Sequence, residues 1–256
     1  MTTAIIRVEN LMKSFLVGKQ QVPVLRGVTF SVDPGKFVII CGPSGCGKST
    51  LLHSTLGLEP PTSGKIYLMG KDMFASHLTE DDRSNLRKQY VGMVYQQTNW
   101  IRSLTVQENV ALPLQLLGVQ KREAVEHAYA NLQIVGMSEW ARYLPTELSS
   151  GQQQRVALAR AIVTDPQVII ADEPTGNLDF EAGQHLMTLL KQLNKEMKKT
   201  VVMVTHDLEY LPYADETINM LDGKITSILN RNESLEQSTK VQLKKHSRGR
   251  TRKNVV

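Results

Sequence analysis

Apolar positions repeat along this chain with two different periods. In VTFSVDPGKFVIIC, Val28, Phe30 and Val32 alternate with polar neighbours, the period-two pattern of a half-buried strand. Asp33-Pro34-Gly35 follows as a turn, since Pro presets φ and Gly accepts the left-handed region. FVII is then a short unbroken apolar run, the mark of a strand buried on both faces. Ser63-Gly64 and Gly70-Lys71 bracket another strand around Ile66 and Leu68. From about Thr79 to Asp165 the pattern predicts helix. Thr105-Val106-Gln107-Glu108 reads as a capping box, a hydroxyl that caps and a carboxylate that reaches back. A second helix is expected over Lys121–Val135. A third starts inside ELSSGQQQRVALARA and ends near Asp165-Pro166, a stop signal.

Strand character returns in QVIIADEP. Leu186, Leu189, Leu190, Leu193 and Met197 then recur at helical spacing, and TVVMVTHD is a third apolar run. Strand–helix–strand alternation predicts a parallel sheet with crossover helices. Ligands of such sheets gather at the carboxyl ends of the strands. Each of the three runs ends in polar chemistry there: GPSGCGKS, DE and HD.

The 256 residues suit one large domain or two lobes. Hydrophobic residues at 41% and charged residues at 21% exclude a chain that is disordered throughout. No apolar run approaches the ~20 residues of a membrane-spanning helix. The start, MTTAIIRVEN, lacks the basic and apolar regions of a signal peptide. A cytoplasmic location is therefore expected, and two cysteines, Cys41 and Cys46, agree with a reducing compartment. The net charge of +5 is unevenly spread. From Arg231 onward the chain holds eight of the 30 basic residues and two of the 25 acidic ones, a net +6, which leaves the body at −1. Residues 231–256 are expected to be a solvated, disordered tail. The alternative is contact with anionic lipid headgroups or nucleic acid.

The strongest chemical signal is Gly42-Pro43-Ser44-Gly45-Cys46-Gly47-Lys48-Ser49, with Thr50 next. It fits G-x-x-x-x-G-K-[ST] and stands between a buried strand and a predicted helix, as that pattern requires. Backbone N–H groups of such a loop turn inward at phosphate oxygens, and the helix start adds partial positive charge. Lys48 brings a full charge to the β/γ-phosphates, and the Ser49 hydroxyl can ligate Mg²⁺. Asp172, at a strand end, can hold the same ion. Glu173 can polarise a water. His206 ends the third strand and can reach the same crevice. Gln96, in VGMVYQQ, carries no signal by itself.

This set, in this order, resembles the nucleotide-binding subunit of ATP-binding cassette (ABC) transporters, from about Ile5 to Ile228. GPSGCGKS resembles the Walker A loop and VIIADE Walker B. Gln96 matches the Q-loop glutamine, Leu148-Ser149-Ser150-Gly151-Gln152 the signature, Gly176-Asn177-Leu178-Asp179 the D-loop and His206 the switch histidine. Phe15 stands where the family places an aromatic residue that stacks on adenine. ADEPTGNLD and LTVQENVALPL look most like the ATPases of lipoprotein-releasing and macrolide-efflux exporters. The resemblance implies a P-loop NTPase cassette of α/β class: a mostly parallel core sheet, an antiparallel β subdomain and an inserted helical subdomain. The cassette would span residues 1–230, with the helical insertion at about 97–165 of a RecA-like core. It implies ATP and Mg²⁺ as cofactors, with the ion held by Ser49, Gln96 and Asp172. It implies a head-to-tail pair of subunits, a homodimer, in which Ser149, Ser150, Gly151, Gln152 and Asp179 serve the partner's ATP. In that turn Gln152 and Arg155 would brace the backbone.

Transport would then need separate transmembrane permease subunits, docked on the helical lobe, with this subunit at the inner face of the membrane and no nucleic acid as partner. The tail could aid membrane contact. A second reading, a soluble ABC ATPase acting on nucleic acid or ribosomes, draws on the basic tail. Such proteins usually carry two cassettes in one chain or long coiled-coil insertions, and this chain has neither. A cassette that binds ATP without turnover is disfavoured by Glu173 and His206. Removing the chain after Ile228 is expected to leave ATPase activity intact. Two departures from the family stand out. Thr98 and Arg102 replace an apolar residue and a proline after Gln96. Between them Trp100 either packs inside the helical lobe or contacts a permease. Ser150 takes the place of a commoner Gly, with an ordinary backbone conformation expected there.

Overall fold

The structure, a computed structural model, describes residues 4–236. Two sheets organise it. Strands β1 (Ile6–Val17), β2 (Gln20–Val32), β4 (Ser63–Leu68) and β5 (Lys71–Asp72) form an antiparallel sheet in the order β2-β1-β4-β5. The second sheet contains β3 (Phe37–Cys41), β6 (Val91–Tyr95), β7 (Val168–Asp172), β8 (Thr200–Thr205), β9 (Glu216–Leu221) and β10 (Lys224–Asn230). Its order is β10-β9-β3-β8-β7-β6, parallel except for β10. The helices are α1 (Lys48–Thr55), α2 (Glu80–Tyr90), α3 (Val106–Leu116), α4 (Lys121–Ile134), α5 (Ser150–Ile162) and α6 (Phe180–Glu196).

The unbroken apolar runs are explained by where their side chains go. Phe37, Ile39 and Cys41 of β3 join a core shared with α3, α4, α5 and α6. Val38 and Ile40 join the opposite core, with α1 and the antiparallel sheet. A strand covered on both faces has no position left for a polar side chain. In β2 only one face is covered, and the alternation survives: Val28, Phe30 and Val32 are buried while Thr29 and Ser31 between them are exposed.

Sequence and structure part in two places, and the structure bears on one reading that the sequence left open. The expected helical stretch from Thr79 to Asp165 is interrupted by β6, which pairs with β7 as the edge of the parallel sheet. VGMVY is only five residues long, too short for periodicity to separate strand from buried helix. The Trp100 alternatives resolve toward packing. Its indole Nε1 donates to Gln153 Oε1 at 3.0 Å, and the Arg160 guanidinium lies 4.4 Å from the ring centre. Finally, the body does not stop at 230: residues 231–236 continue as helix. Ser234 is fully buried there, and its hydroxyl lies within hydrogen-bond distance of Thr217 Oγ1 and Asn230 O, each at 2.9 Å. The rest of the basic tail, 237–256, lies outside the described residues.

The expected cut after Ile228 therefore falls too early. It would remove the β10 partners of Thr217 and Glu216 and leave the Thr217 hydroxyl buried without its bond. Ending the chain at Ile228 is expected to cost about 1–3 kcal/mol more than ending it at Glu236. Urea denaturation of the two truncated chains checks this; equal midpoints would show that Ser234 holds nothing in place.

Candidate functional site

The register of the parallel sheet aligns the candidate residues. Cys41 pairs with Thr205, Val204 with Asp172, and Asp172 with Tyr95. The residues that follow these strand ends, Gly42, His206, Glu173 and Gln96, therefore emerge along one edge of the sheet. This is the crevice where α/β folds bind ligands.

The loop between β3 and α1 is shaped by its glycines. Gly47 caps α1 at φ 102, a conformation that costs a residue with a side chain about 1–2 kcal/mol. The turn delivers Lys48 into the site with only 5% of its side chain exposed. Its ammonium donates to Gly42 O at 2.9 Å and Pro43 O at 3.1 Å, and lies 3.8 Å from Glu173 Oε1. Ser49 Oγ donates to Asp172 Oδ1 at 3.3 Å. Burial pushes the Asp172 carboxyl up, against the pull of His53, the Ser49 hydroxyl and Lys48. His206 Nδ1 lies 2.6 Å from Glu173 Oε2. One carboxylate is thus spanned by a cation and an imidazole. Glu173 holds a left-handed backbone, φ 48, a strained setting that clusters at active sites. Backbone bonds hold it there: Glu173 N donates to Val204 O and Gly176 N to Glu173 O.

Lys48, Ser49, Asp172, Glu173 and His206 therefore meet. Gln96 does not join them in this structure. It is exposed and lies against the turn after Glu173, where a Cβ on Gly176 would stand 2.7 Å from its Nε2. Phe15 is 37% exposed on β1, with the Lys13 ammonium 4.8 Å from its ring centre. Asp179 caps α6, its Oδ1 accepting from Ala182 N at 2.8 Å. Cys41 and Cys46 are both free and buried. Burial pushes the Cys41 thiol up to about 11, so it stays protonated and has no nucleophilic thiolate to offer.

The start of α5 forms a capping box. Gln152 N donates to Ser149 Oγ, and Ser149 N donates to Gln152 Oε1. Ser150 is the first helical residue, with ordinary negative φ. Gly151 sits close to α6, where a Cβ would come within 2.9 Å of the Ala182 methyl. The expected bracing by Arg155 is absent: it makes no hydrogen bond or ion pair among the described residues. Gln153 braces the turn instead, donating to Leu148 O at 3.0 Å. Among the described residues, Ser149, Ser150, Gly151 and Gln152 make no hydrogen bond to the phosphate loop. Two neighbours escaped the sequence reading, Gln154 and Arg160. Gln154 shares a helical stripe with Ala157, Leu158 and Ala161, all buried, and a polar residue on such a stripe was the available signal.

Known proteins resemble this chain over most of its length. Residues 25–176 match the family described as ABC transporter. The chain is 41% identical over 226 residues to an ABC transporter ATP-binding protein of Methanocaldococcus jannaschii, covering 88% of this chain and 100% of that one. It is 41% identical to the lipoprotein-releasing system ATP-binding protein LolD of Coxiella burnetii, covering 89% and 97%. The dimeric structure of the ABC transporter cassette MJ0796 superimposes with a TM-score of 0.81 at 37% identity, over 88% of this chain and 98% of that one. CbiO1 of Clostridium perfringens, part of the transporter complex CbiONQ, gives a TM-score of 0.82 at 28% identity, over 98% and 99%. This chain belongs to the ABC transporter family. It is an ATP-binding and ATP-hydrolysing subunit, one that powers a membrane transport complex.

Substituting Lys48 by Ala removes the one full positive charge placed in the phosphate loop. ATP affinity is expected to fall by about 100-fold, equal to about 2.8 kcal/mol. Titration with a fluorescent nucleotide measures it, and an unchanged affinity would contradict the assignment of the loop.

Proposed function

We propose that the strand-end residues form one half of an ATP site and that the start of α5 completes the site of a second copy. The observation that carries this is the separation within one chain. Lys48, Ser49, Asp172, Glu173 and His206 lie together, while Ser149, Gly151 and Gln152 make no hydrogen bond to them. In this reading the backbone of Gly42–Thr50 cradles the phosphates and Lys48 exchanges its loop carbonyls for phosphate oxygens. Phe15 offers its exposed ring to adenine. Glu173 takes a proton from the attacking water, and His206 orients that carboxylate and reaches the γ-phosphate. Ser149 and Gly151, at a helix start, offer donors and partial positive charge to the partner's γ-phosphate, beside Ser150, Gln152 and Asp179.

The donor set fits a hard divalent cation, since Ser49 and Asp172 present oxygen atoms on adjacent elements 3.3 Å apart. Mg²⁺ bound there would neutralise charge on the β- and γ-oxygens. Gln96 would join as a further oxygen ligand by leaving Gly176. The partner is a second copy of this chain.

No helix among the described residues is long and apolar enough to cross a membrane; in this reading separate permease subunits supply the membrane spans. A groove of about 400 Å³ offers them a surface. Its lining includes Leu58, Met93, Leu112 and Leu116 together with Arg87 and Arg160. Leu58 and Leu116 are 46% and 66% exposed, a cost that an apolar helix of a permease would remove. The subunit would thereby sit at the inner face of the membrane.

Three measurements test these assignments. Glu173→Gln is expected to slow turnover by at least about 100-fold while ATP still binds, leaving a dimer that survives gel filtration; wild-type turnover removes Glu173 as the base. Lys48→Ala and Gly151→Asp are each expected to be inactive alone. Mixed, they should regain activity, because one site of the mixed dimer has both halves intact; no regain would place both halves in one chain. Leu116→Asp should lose retention in the membrane fraction while the isolated subunit keeps its ATPase rate. Full retention would exclude the groove as the docking surface.

A further inference from the structure

Gln154 lies in the second turn of α5 and is 3% exposed. Its amide nitrogen donates to Tyr95 O at 3.0 Å and to Pro174 O at 2.8 Å. Both hydrogens are spent, and both acceptors are informative. Tyr95 immediately precedes Gln96, and Pro174 immediately follows Glu173. The amide oxygen is buried without a partner, beside a cavity of about 650 Å³ that also borders Trp100, Ser150 and Asn177. An unpaired buried oxygen opposes folding. What the side chain supplies in return is two donors for carbonyls that an apolar residue would leave unsatisfied.

Neighbouring bonds run the same way. Gln153 joins Leu148 O to the Trp100 indole. Arg160 donates to Thr98 O at 2.5 Å and Asn99 O at 3.3 Å while stacking on Trp100. It is half-buried with no carboxylate partner among the described residues, and that desolvation holds its pKa down. Gln153 and Arg160 tie α5 to the segment that follows Gln96, and Gln154 ties it to the residue before Gln96 and to the turn that follows Glu173. The start of α5 therefore cannot shift or rotate without moving both strand ends of its own site.

We propose that Gln154 is a positioning residue that couples the two ATP sites of the dimer. It holds the α5 start, offered to the partner's ATP, in fixed relation to Gln96 and Glu173, which serve the chain's own ATP. A movement of Gln96 or Glu173 on occupation of one site is thereby transmitted to the geometry of the other. This rests on the reading that α5 serves the partner's nucleotide.

The test is Gln154→Met, which keeps side-chain length and removes both donors. Turnover is expected to fall by about 10- to 100-fold, the cost of a small misplacement of reacting groups. The KM for ATP should stay within about twofold. Turnover of the wild type should depend cooperatively on ATP concentration, and the variant's Hill coefficient should fall to about 1. A structural role alone would lower the melting temperature without moving the Hill coefficient. Gln154→Asn, whose amide falls one methylene short of the carbonyls, carries the same expectations and decides the matter if the Met variant does not fold. The proposal is overturned if the folded variant keeps the wild-type Hill coefficient, if the wild type shows none above 1, or if the lost rate returns when each protein is assayed equally far below its melting temperature. The mixing of Lys48→Ala with Gly151→Asp separates the two ideas. No regain there sinks the shared-site reading itself; regain with an unaffected Gln154→Met sinks only the coupling.

Discussion

Parallel hydrogen bonding among β6, β7, β8 and β3 is the constraint on which this molecule depends. Each strand enters with an apolar run whose alternate residues fit opposite cores, so none can slip by one without moving large side chains into the wrong core. The fixed register then decides which residues share the sheet edge. Lys48, Asp172, Glu173 and His206 are far apart in sequence and meet only because Cys41, Asp172 and Thr205 end their strands at matched levels. A one-residue shift would turn Asp172 into the core, lose its contact with Ser49 and displace Glu173 from Lys48.

Electrostatics at that edge are self-contained. The Lys48 ammonium rests on two loop carbonyls near Glu173, and His206 closes the other side of the same carboxylate. Charge that would be costly when buried and single is held in a small set of partners. In the proposed function, phosphate entering the loop would compete for the same ammonium and so link binding to the state of Glu173. The left-handed backbone of Glu173 is retained by bonds to Val204 and Gly176. The strain thus stays local to the residue proposed to do the chemistry.

Helix α5 has two roles. Its first turn presents Ser149 and Gly151 outward, while its buried face holds Gln154 against the strand ends behind it. Ser150, the departure from the commoner family residue, sits in ordinary helical backbone and strains nothing. The departures after Gln96 meet the same helix, with Trp100 bonded to Gln153 and stacked under Arg160. Substitution in that segment adjusts a contact inside the cassette rather than adding a free surface ring.

Much of this was legible in the sequence, because the signals are local. Buried strands announce themselves as apolar runs, the phosphate loop by its glycines and lysine, and α3 by the capping box of Thr105 and Glu108, which forms as expected. What stayed hidden depends on pairing at a distance. β6 needed β7 beside it to be a strand. The end of the body needed Thr217 to bury Ser234, and the role of Gln154 needed the carbonyls of Tyr95 and Pro174 to arrive from elsewhere in the chain. By itself, the sequence determined which groups could bind phosphate and where helices and strands could start. The tertiary structure decided which groups meet, because register and buried hydrogen bonds are satisfied only when distant segments close on one another.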